Sequence, residues 1–155
     1  SGEPGLSLDL GAEHKMCRGA ELLGALETSE RDSAEKAEYD GQTVVQVNLA
    51  AKETGSQELS FGSAVYSLIG SETERVTLRF YSDTACKVTL YIEGRTNLSL
   101  PVLTADVAAG YNELTLAATG LNWASIGQLK AMYIQFGESG DNTARVIRLV
   151  EIEIM

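Results

Sequence analysis

The sequence has little of what catalytic sites are commonly built from. Its 155 residues include a single histidine, His14, and two cysteines. A G-x-S-x-G nucleophile motif and the glycine-rich phosphate-binding motifs are both missing. Cys17 follows His14 by three residues, and on a strand this spacing places the two side chains on opposite faces. The sequence therefore predicts neither a nucleophile–histidine pair nor nucleotide-dependent catalysis, and we expect no enzyme.

Positive charge and long apolar runs are also scarce. The chain has 12 basic and 22 acidic side chains, for a formal net charge of −10. This charge repels phosphate backbones and anionic lipid. No apolar run approaches the roughly 18 residues that a membrane-spanning helix needs. We therefore predict that neither nucleic acid nor a membrane is a partner.

Length and composition fit one folded domain. Hydrophobic residues make up 44% and charged residues 22% of the chain, close to globular averages. A chain of this length can bury one core. Residues 1–5 (SGEPG) are predicted to be a linker or a cloning remnant, which leaves residues 6–155 as a single domain.

The two cysteines match no metal-ligand spacing, because they are far apart in the sequence and neither has a second cysteine or a histidine pair beside it. Two interpretations stay open. Cys17 and Cys86 form one disulfide if their strands meet, or both are buried or partly buried thiols.

Short segments with period-two alternation recur along the chain, separated by Gly, Asn, Asp and Ser. This pattern is typical of an antiparallel all-β sandwich or barrel, and ten short strands favour a sandwich of two stacked sheets. The predicted strands are 6–10, 20–26, 43–49, 58–61, 75–81, 87–92, 98–103, 112–117, 131–136 and 145–154.

Three connecting segments can be interpreted physically. Asp40-Gly41 supplies a tight turn, since glycine readily adopts positive φ. The highly polar stretch ETSERDSAEKAEYD (27–40) is predicted to be an exposed loop. Residues 119–130 do not alternate, and a short turn or single helical turn there would let Trp123 plug one end of the sandwich.

The segment RVTLRFYSDTACKVTLYIEG (75–94) raises the question of a binding face. In each of its two strands apolar residues point one way and polar residues the other. The segment AMYIQF (131–136) repeats the pattern. If the three strands share one sheet, their polar sides form a platform of Arg79, Tyr81, Tyr91, Tyr133 and Gln135. Such a platform could stack on and hydrogen-bond a sugar, or it could be an ordinary half-exposed sheet face.

Acidic residues near the chain ends suggest a calcium ion, because hard oxygen ligands suit Ca²⁺ and such an ion can join the first and last strands of a sandwich. The candidates are Asp9, Glu13, Asp40 and Glu151. The alternative is that these side chains are solvated surface residues.

The order of segments resembles the jelly-roll carbohydrate-binding modules and the wider galactose-binding-like sandwich family. The resemblance rests on AEYDGQTVVQVNL (37–49), on the two strands of 75–94, and on residues 110–154, which run turn, strand, Leu-Asn-Trp plug, strand, polar loop and closing strand. It implies an extracellular or cell-surface location beside a glycan-active catalytic domain. It also implies a structural calcium held by Glu151 with Asp9 or Glu13.

Taken together, these patterns predict a non-catalytic carbohydrate-binding module that binds a polysaccharide or oligosaccharide on a sheet face. Its partners would be the glycan and neighbouring domains of the same polypeptide. The alternative is a structural or protein-interaction sandwich domain with no glycan ligand.

Overall fold

We describe a computed structural model of the chain, which covers residues 14–138 and 143–155. Strands dominate, with short helices at the connections. The strands are β1 Lys15–Cys17, β2 Leu26–Glu27, β3 Ser33–Tyr39, β4 Gln42–Leu49, β5 Gln57–Phe61, β6 Arg75–Ser82, β7 Cys86–Glu93, β8 Leu100–Val107, β9 Gly110–Ala117, β10 Ala131–Phe136 and β11 Arg145–Ile154. The helices are α1 Gly19–Gly24, α2 Ser63–Tyr66 and α3 Trp123–Ile126, and a 3-10 turn covers Ala118–Gly120.

Two antiparallel sheets form the fold. The front sheet has the strand order β3-β4-β11-β6-β9, and β1 also pairs with β11. The back sheet has the order β2-β5-β10-β7-β8. The predicted all-β, two-sheet antiparallel sandwich is therefore confirmed. The predicted strand 6–10 lies outside the described residues.

The core fills the space between the two sheets. Alternate residues of the central strands point inward, and these apolar side chains are almost completely shielded from water. Burying each one contributes about 1.5–3 kcal/mol of transfer free energy. The largest buried side chains are Phe61, Phe80, Phe136, Leu22, Leu49, Leu59, Leu78, Ile92, Met132, Ile134, Ile147 and Leu149.

Two local predictions are wrong. The predicted strand 20–26 is mostly helix α1, whose Leu22 side chain is fully buried in the core. The predicted loop 27–40 contains the seven-residue strand β3. β3 lies at the edge of the front sheet, where a strand pairs on one side only and charged side chains are common. The edge position explains why the polar sequence of this strand led to the prediction of a loop.

The strands of 75–94 do not lie side by side. β6 belongs to the front sheet and β7 to the back sheet, so the chain crosses between the sheets at residues 83–85. The Asp83 amide donates to the Val146 carbonyl of β11 at 3.1 Å, which extends the front sheet and not a β6–β7 hairpin. The condition that these strands share one sheet is therefore not met, because alternation specifies which face is buried but not which sheet a strand joins.

A β-bulge in β11 sets which of its charged residues face outward. The register against β6 shifts between Leu149 and Glu151. Without the shift, strand parity would place Arg148 and Glu151 on opposite faces. With it, both lie on the outer face of the front sheet, together with Glu153. In the sequence, the bulge is marked by two adjacent apolar residues, Leu149 and Val150, which interrupt the alternation of β11.

No disulfide joins the two cysteines. Cys17 points into the core from β1, and Cys86 is half-buried at the start of β7. Burial, followed by the nearby Glu21, raises the pKa of the Cys17 thiol to about 11, so this thiol stays protonated at neutral pH. His14, the residue before β1, contacts Glu153 on the outer face of the front sheet, so it lies on the opposite face from Cys17, as strand parity predicts.

Helix α3 and the residues around it close one end of the sandwich, as predicted for 119–130. The half-buried Trp123 packs against the core, and its Nε1 donates to the Ala118 carbonyl at 2.9 Å. Gly94 lies against this helix so closely that a Cβ atom there would overlap the Ile126 carbonyl.

Candidate functional site

Three tyrosines lie in contact on the outer face of the front sheet. We call Tyr39 of β3, Tyr81 of β6 and Tyr111 of β9 the tyrosine row. The ring centroids of Tyr39 and Tyr81 are 4.9 Å apart, and those of Tyr81 and Tyr111 are 5.3 Å apart, both edge to face. Tyr39 is 37% and Tyr111 48% exposed, so each end of the row is open to solvent. This geometry offers aromatic surface to a ligand without disturbing the core.

The β3–β4 turn fixes the first two rings. Asp40 and Gly41 have φ of 51° and 78°, the positive values of a two-residue hairpin turn. Tyr81 Oη donates to Asp40 Oδ2 at 3.2 Å and accepts a hydrogen bond from Gln42 Nε2 at 3.0 Å. Desolvation and the bond to Asp40 raise the pKa of Tyr81, so its hydroxyl stays neutral.

Arg148 of β11 lies beside the Tyr39 end of the row. Its guanidinium carbon is 4.3 Å from the centroid of the Tyr39 ring, a cation–π contact. Its Nε donates to Gln46 Oε1 at 3.2 Å. Gln46 in turn contacts Asn48, whose amide donates to Ser33 Oγ at 3.0 Å. A line of polar side chains therefore crosses β11, β4 and β3 next to the rings.

A partly buried charge cluster lies toward the Tyr111 end. We call Arg79, Glu113, Glu151 and Glu153 the Arg79 cluster. Arg79 Nη1 is 2.7 Å from Glu151 Oε2 and 2.9 Å from Glu153 Oε1, and its Nε is 3.1 Å from Glu113 Oε2. Burial opposes the charge on Arg79, but its hydrogen bonds to Glu153 and Glu113 outweigh burial and raise its pKa.

Other side chains extend this cluster in both directions. Arg18 Nε lies 2.8 Å from Glu151 Oε1, and His14 Nε2 lies 2.8 Å from Glu153 Oε2. Tyr111 Oη donates to Glu113 Oε2 at 3.0 Å. The bonds from Tyr111 and Arg79 lower the pKa of Glu113. Every carboxylate of the cluster therefore lies between donors, an arrangement that stabilises the face.

The predicted platform is divided between the two faces of the sandwich. Arg79 and Tyr81 are on the front sheet, whereas Tyr91, Tyr133 and Gln135 are on the outer face of the back sheet. The expectation that these five residues form one surface is wrong, because β6 does not share a sheet with β7 and β10. Arg79 also forms ion pairs with three glutamates.

On the back sheet Tyr91 and Tyr133 are cross-strand neighbours. Their rings are stacked, with centroids 5.1 Å apart and an angle of 16° between planes. Tyr133 Oη donates to Ser99 Oγ at 2.7 Å. Stacking covers one face of each ring, so this pair offers less free aromatic surface than its two rings suggest.

Sequence reasoning missed three residues of the front face. Tyr39 was hidden in a segment predicted to be a loop, and Tyr111 follows the turn glycine Gly110. Arg148 sits in a correctly predicted strand, where its alternation with Ile147 and Leu149 was the available signal. What could not be obtained from the sequence is that β3, β6, β9 and β11 meet in one sheet.

Of the four calcium candidates, the structure describes Asp40 and Glu151. Asp9 and Glu13 lie outside the described residues. Asp40 is hydrogen-bonded to Tyr81, and both Glu151 oxygens are paired with arginines, which does not suit a cation ligand. Within residues 14–138 and 143–155, no group of three or more His, Cys, Asp or Glu side chains could hold a metal ion. The calcium site stays a prediction.

Comparison with solved structures identifies the fold. The chain is similar to a family 29 carbohydrate-binding module, with 12% identity, 91% of this chain and 88% of that chain covered, and a TM-score of 0.54. It is also similar to a mutant of such a module complexed with cellulohexaose, with 12% identity, 93% of each chain covered and a TM-score of 0.55. A third match is a mutant complexed with mannohexaose, with 11% identity, 91% and 92% covered and a TM-score of 0.52.

These comparisons confirm the predicted resemblance in fold to carbohydrate-binding modules. No protein-family model matches the chain, and no curated protein sequence matches it either. Among the described residues, no helix is both long and apolar enough to cross a membrane.

Proposed function

We propose that this protein is a non-catalytic carbohydrate-binding module that binds a polysaccharide on the outer face of the front sheet. The observation that carries the proposal is the tyrosine row with Arg148 beside it. The apolar face of a sugar ring packs on aromatic rings, and its hydroxyls need donors and acceptors at the margin. Arg148 and the hydrogen-bonded Gln46 and Asn48 supply such groups at the Tyr39 end of the row.

The solved structures with a similar fold support this assignment, because two of them are complexes with six-sugar chains. Fold similarity at 11–12% identity does not transfer a ligand, so the argument depends on this chain's own tyrosines. Affinity is expected to be modest, since exposed polar contacts exchange water for sugar at little net gain.

The setting that we propose is a larger secreted or surface glycan-active protein, with this domain holding polysaccharide near its neighbouring domains. The competing function is a structural or protein-interaction domain. Calorimetry against a panel of soluble glycans separates the two, because a uniformly silent titration would favour the structural role.

The test places the same substitution on the two faces. Tyr111→Ala removes an exposed ring from the row, and Tyr91→Ala removes a ring from the back sheet. In affinity electrophoresis through glucan or mannan gels, Tyr111→Ala is expected to weaken binding to the gel about tenfold. Tyr91→Ala is expected to bind as the wild type does. If only Tyr91→Ala loses binding, the glycan site lies on the back sheet and not on the front sheet.

A further inference from the structure

The arginines of the front face differ in their partners. Arg18 and Arg79 are each paired with glutamates. Arg148 has a cation–π contact with Tyr39 and one hydrogen bond to Gln46, and no carboxylate of the described residues is close enough to form an ion pair with it. A half-buried guanidinium without an anionic partner is unusual in a protein with 22 acidic side chains.

The position of Arg148 leaves a defined set of donors available. The Tyr39 ring covers one side of the guanidinium, and Gln46 uses its Nε. The terminal Nη1 and Nη2 atoms make no hydrogen bond to any residue in the described part of the chain. These two nitrogens present parallel N–H groups, the geometry that matches the two oxygens of a carboxylate.

Charge is distributed unevenly along the tyrosine row. At the Tyr111 end, Arg79 is surrounded by Glu113, Glu151 and Glu153. At the Tyr39 end, Arg148 forms no ion pair with a described residue; Asp40 is bonded to Tyr81, and Glu35 lies one strand farther away, opposite Gln46. The net charge of −10 opposes an approaching anion, but salt screens this repulsion beyond about 8 Å. Whether an anion binds directly to Arg148 therefore depends on the groups next to Arg148 and not on the net charge of the protein.

We propose that the polysaccharide bound by the tyrosine row carries carboxylates, as uronic acid residues do, and that Arg148 binds one of them through Nη1 and Nη2. This inference rests on the proposed function and names its ligand class. The carboxylate accepts hydrogen bonds from the two terminal nitrogens of Arg148 that have no acceptor among the described residues. The sugar rings extend from Tyr39 toward Tyr81. At the Tyr111 end, the glutamates of the Arg79 cluster favour a neutral sugar or hydroxyl groups.

The experiment compares three hexasaccharide probes by calorimetry: oligogalacturonate, its methyl ester and cellohexaose. The ester has the same backbone without the charge. We expect the acid to bind the wild-type protein about ten- to a hundredfold more tightly than the ester, the range for a hydrogen-bonded charge pair. Arg148→Gln is expected to reduce acid binding to the level of the ester. Lys87→Gln, on the exposed outer face of the back sheet, is expected to keep the preference.

Each other outcome overturns one claim. Equal affinity for the acid and the ester would refute the carboxylate preference and leave glycan binding intact. A preference that persists in folded Arg148→Gln would refute the role of Arg148. If none of the probes binds and a wider panel of soluble glycans is also silent, the proposed function itself is refuted.

Discussion

Replacing Arg79 with methionine would remove the centre of the Arg79 cluster while keeping most of the side chain's apolar volume. The cost follows from the two carboxylates that are mostly buried, since Glu151 is 11% and Glu153 16% exposed in their side chains. A hydrogen bond to a charged group contributes about 1.5–3 kcal/mol. Because Arg18 and His14 still pair with these carboxylates, we expect a loss of about 2–4 kcal/mol, or roughly 5–15 °C in melting temperature.

The loss should depend on pH. The pKa of Glu113 is lowered by its bonds from Tyr111 and Arg79. At Glu153 burial acts in the opposite direction but is outweighed by the bonds from His14 and Arg79, so its pKa also lies below the usual 4.5. Groups with a lower pKa in the folded state stabilise it above about pH 4.5, and this stability is lost as the pH falls through the folded values. The difference between wild type and Arg79→Met should therefore shrink below pH 4.5.

Urea unfolding at pH 7 and pH 3.5 measures both effects, with Arg148→Met as the matched control. Arg148 has no carboxylate partner among the described residues, so its loss should cost about 0.5–1 kcal/mol with little pH dependence. Equal losses in the two variants, or an Arg79→Met loss that is the same at both pH values, would refute the account of the cluster.

Two further predictions concern stability. Gly94→Ala should destabilise the protein by about 1–3 kcal/mol in urea unfolding, because the added Cβ meets the Ile126 carbonyl, whereas Gly70→Ala, which has open space, should change little; equal effects would contradict the steric explanation. If the acidic residues of the chain ends hold a structural calcium ion, calcium should raise the melting temperature and EDTA should reverse the rise; an unchanged melting temperature would reject the ion.

Alternation predicted the long strands well. β4, β6, β7, β10 and β11 each match a predicted strand to within one residue at either end. These strands are buried on one face, so apolar and polar residues must alternate along them. Alternation failed where burial is weak, as in β3, or where an apolar run packs as a helix, as in α1.

The candidate site was harder to predict than the fold. Tyr81 was correctly placed on an outward face, but its neighbours Tyr39 and Tyr111 come from strands that are 42 and 30 positions away in the sequence. Their meeting depends on strand order, which local patterns do not encode. The β11 bulge likewise decides which charges join the face, and only two adjacent apolar residues mark it in the sequence.

The edge position of β3 has a consequence for how the front face operates. None of the seven residues of β3 is buried, so this strand is expected to fray more readily than the core strands. Fraying would carry Tyr39 away from Arg148 and dismantle one end of the tyrosine row. The apparent affinity for a ligand is then reduced by the fraction of molecules in which β3 is docked, so occupancy of the site and docking of this strand reinforce each other.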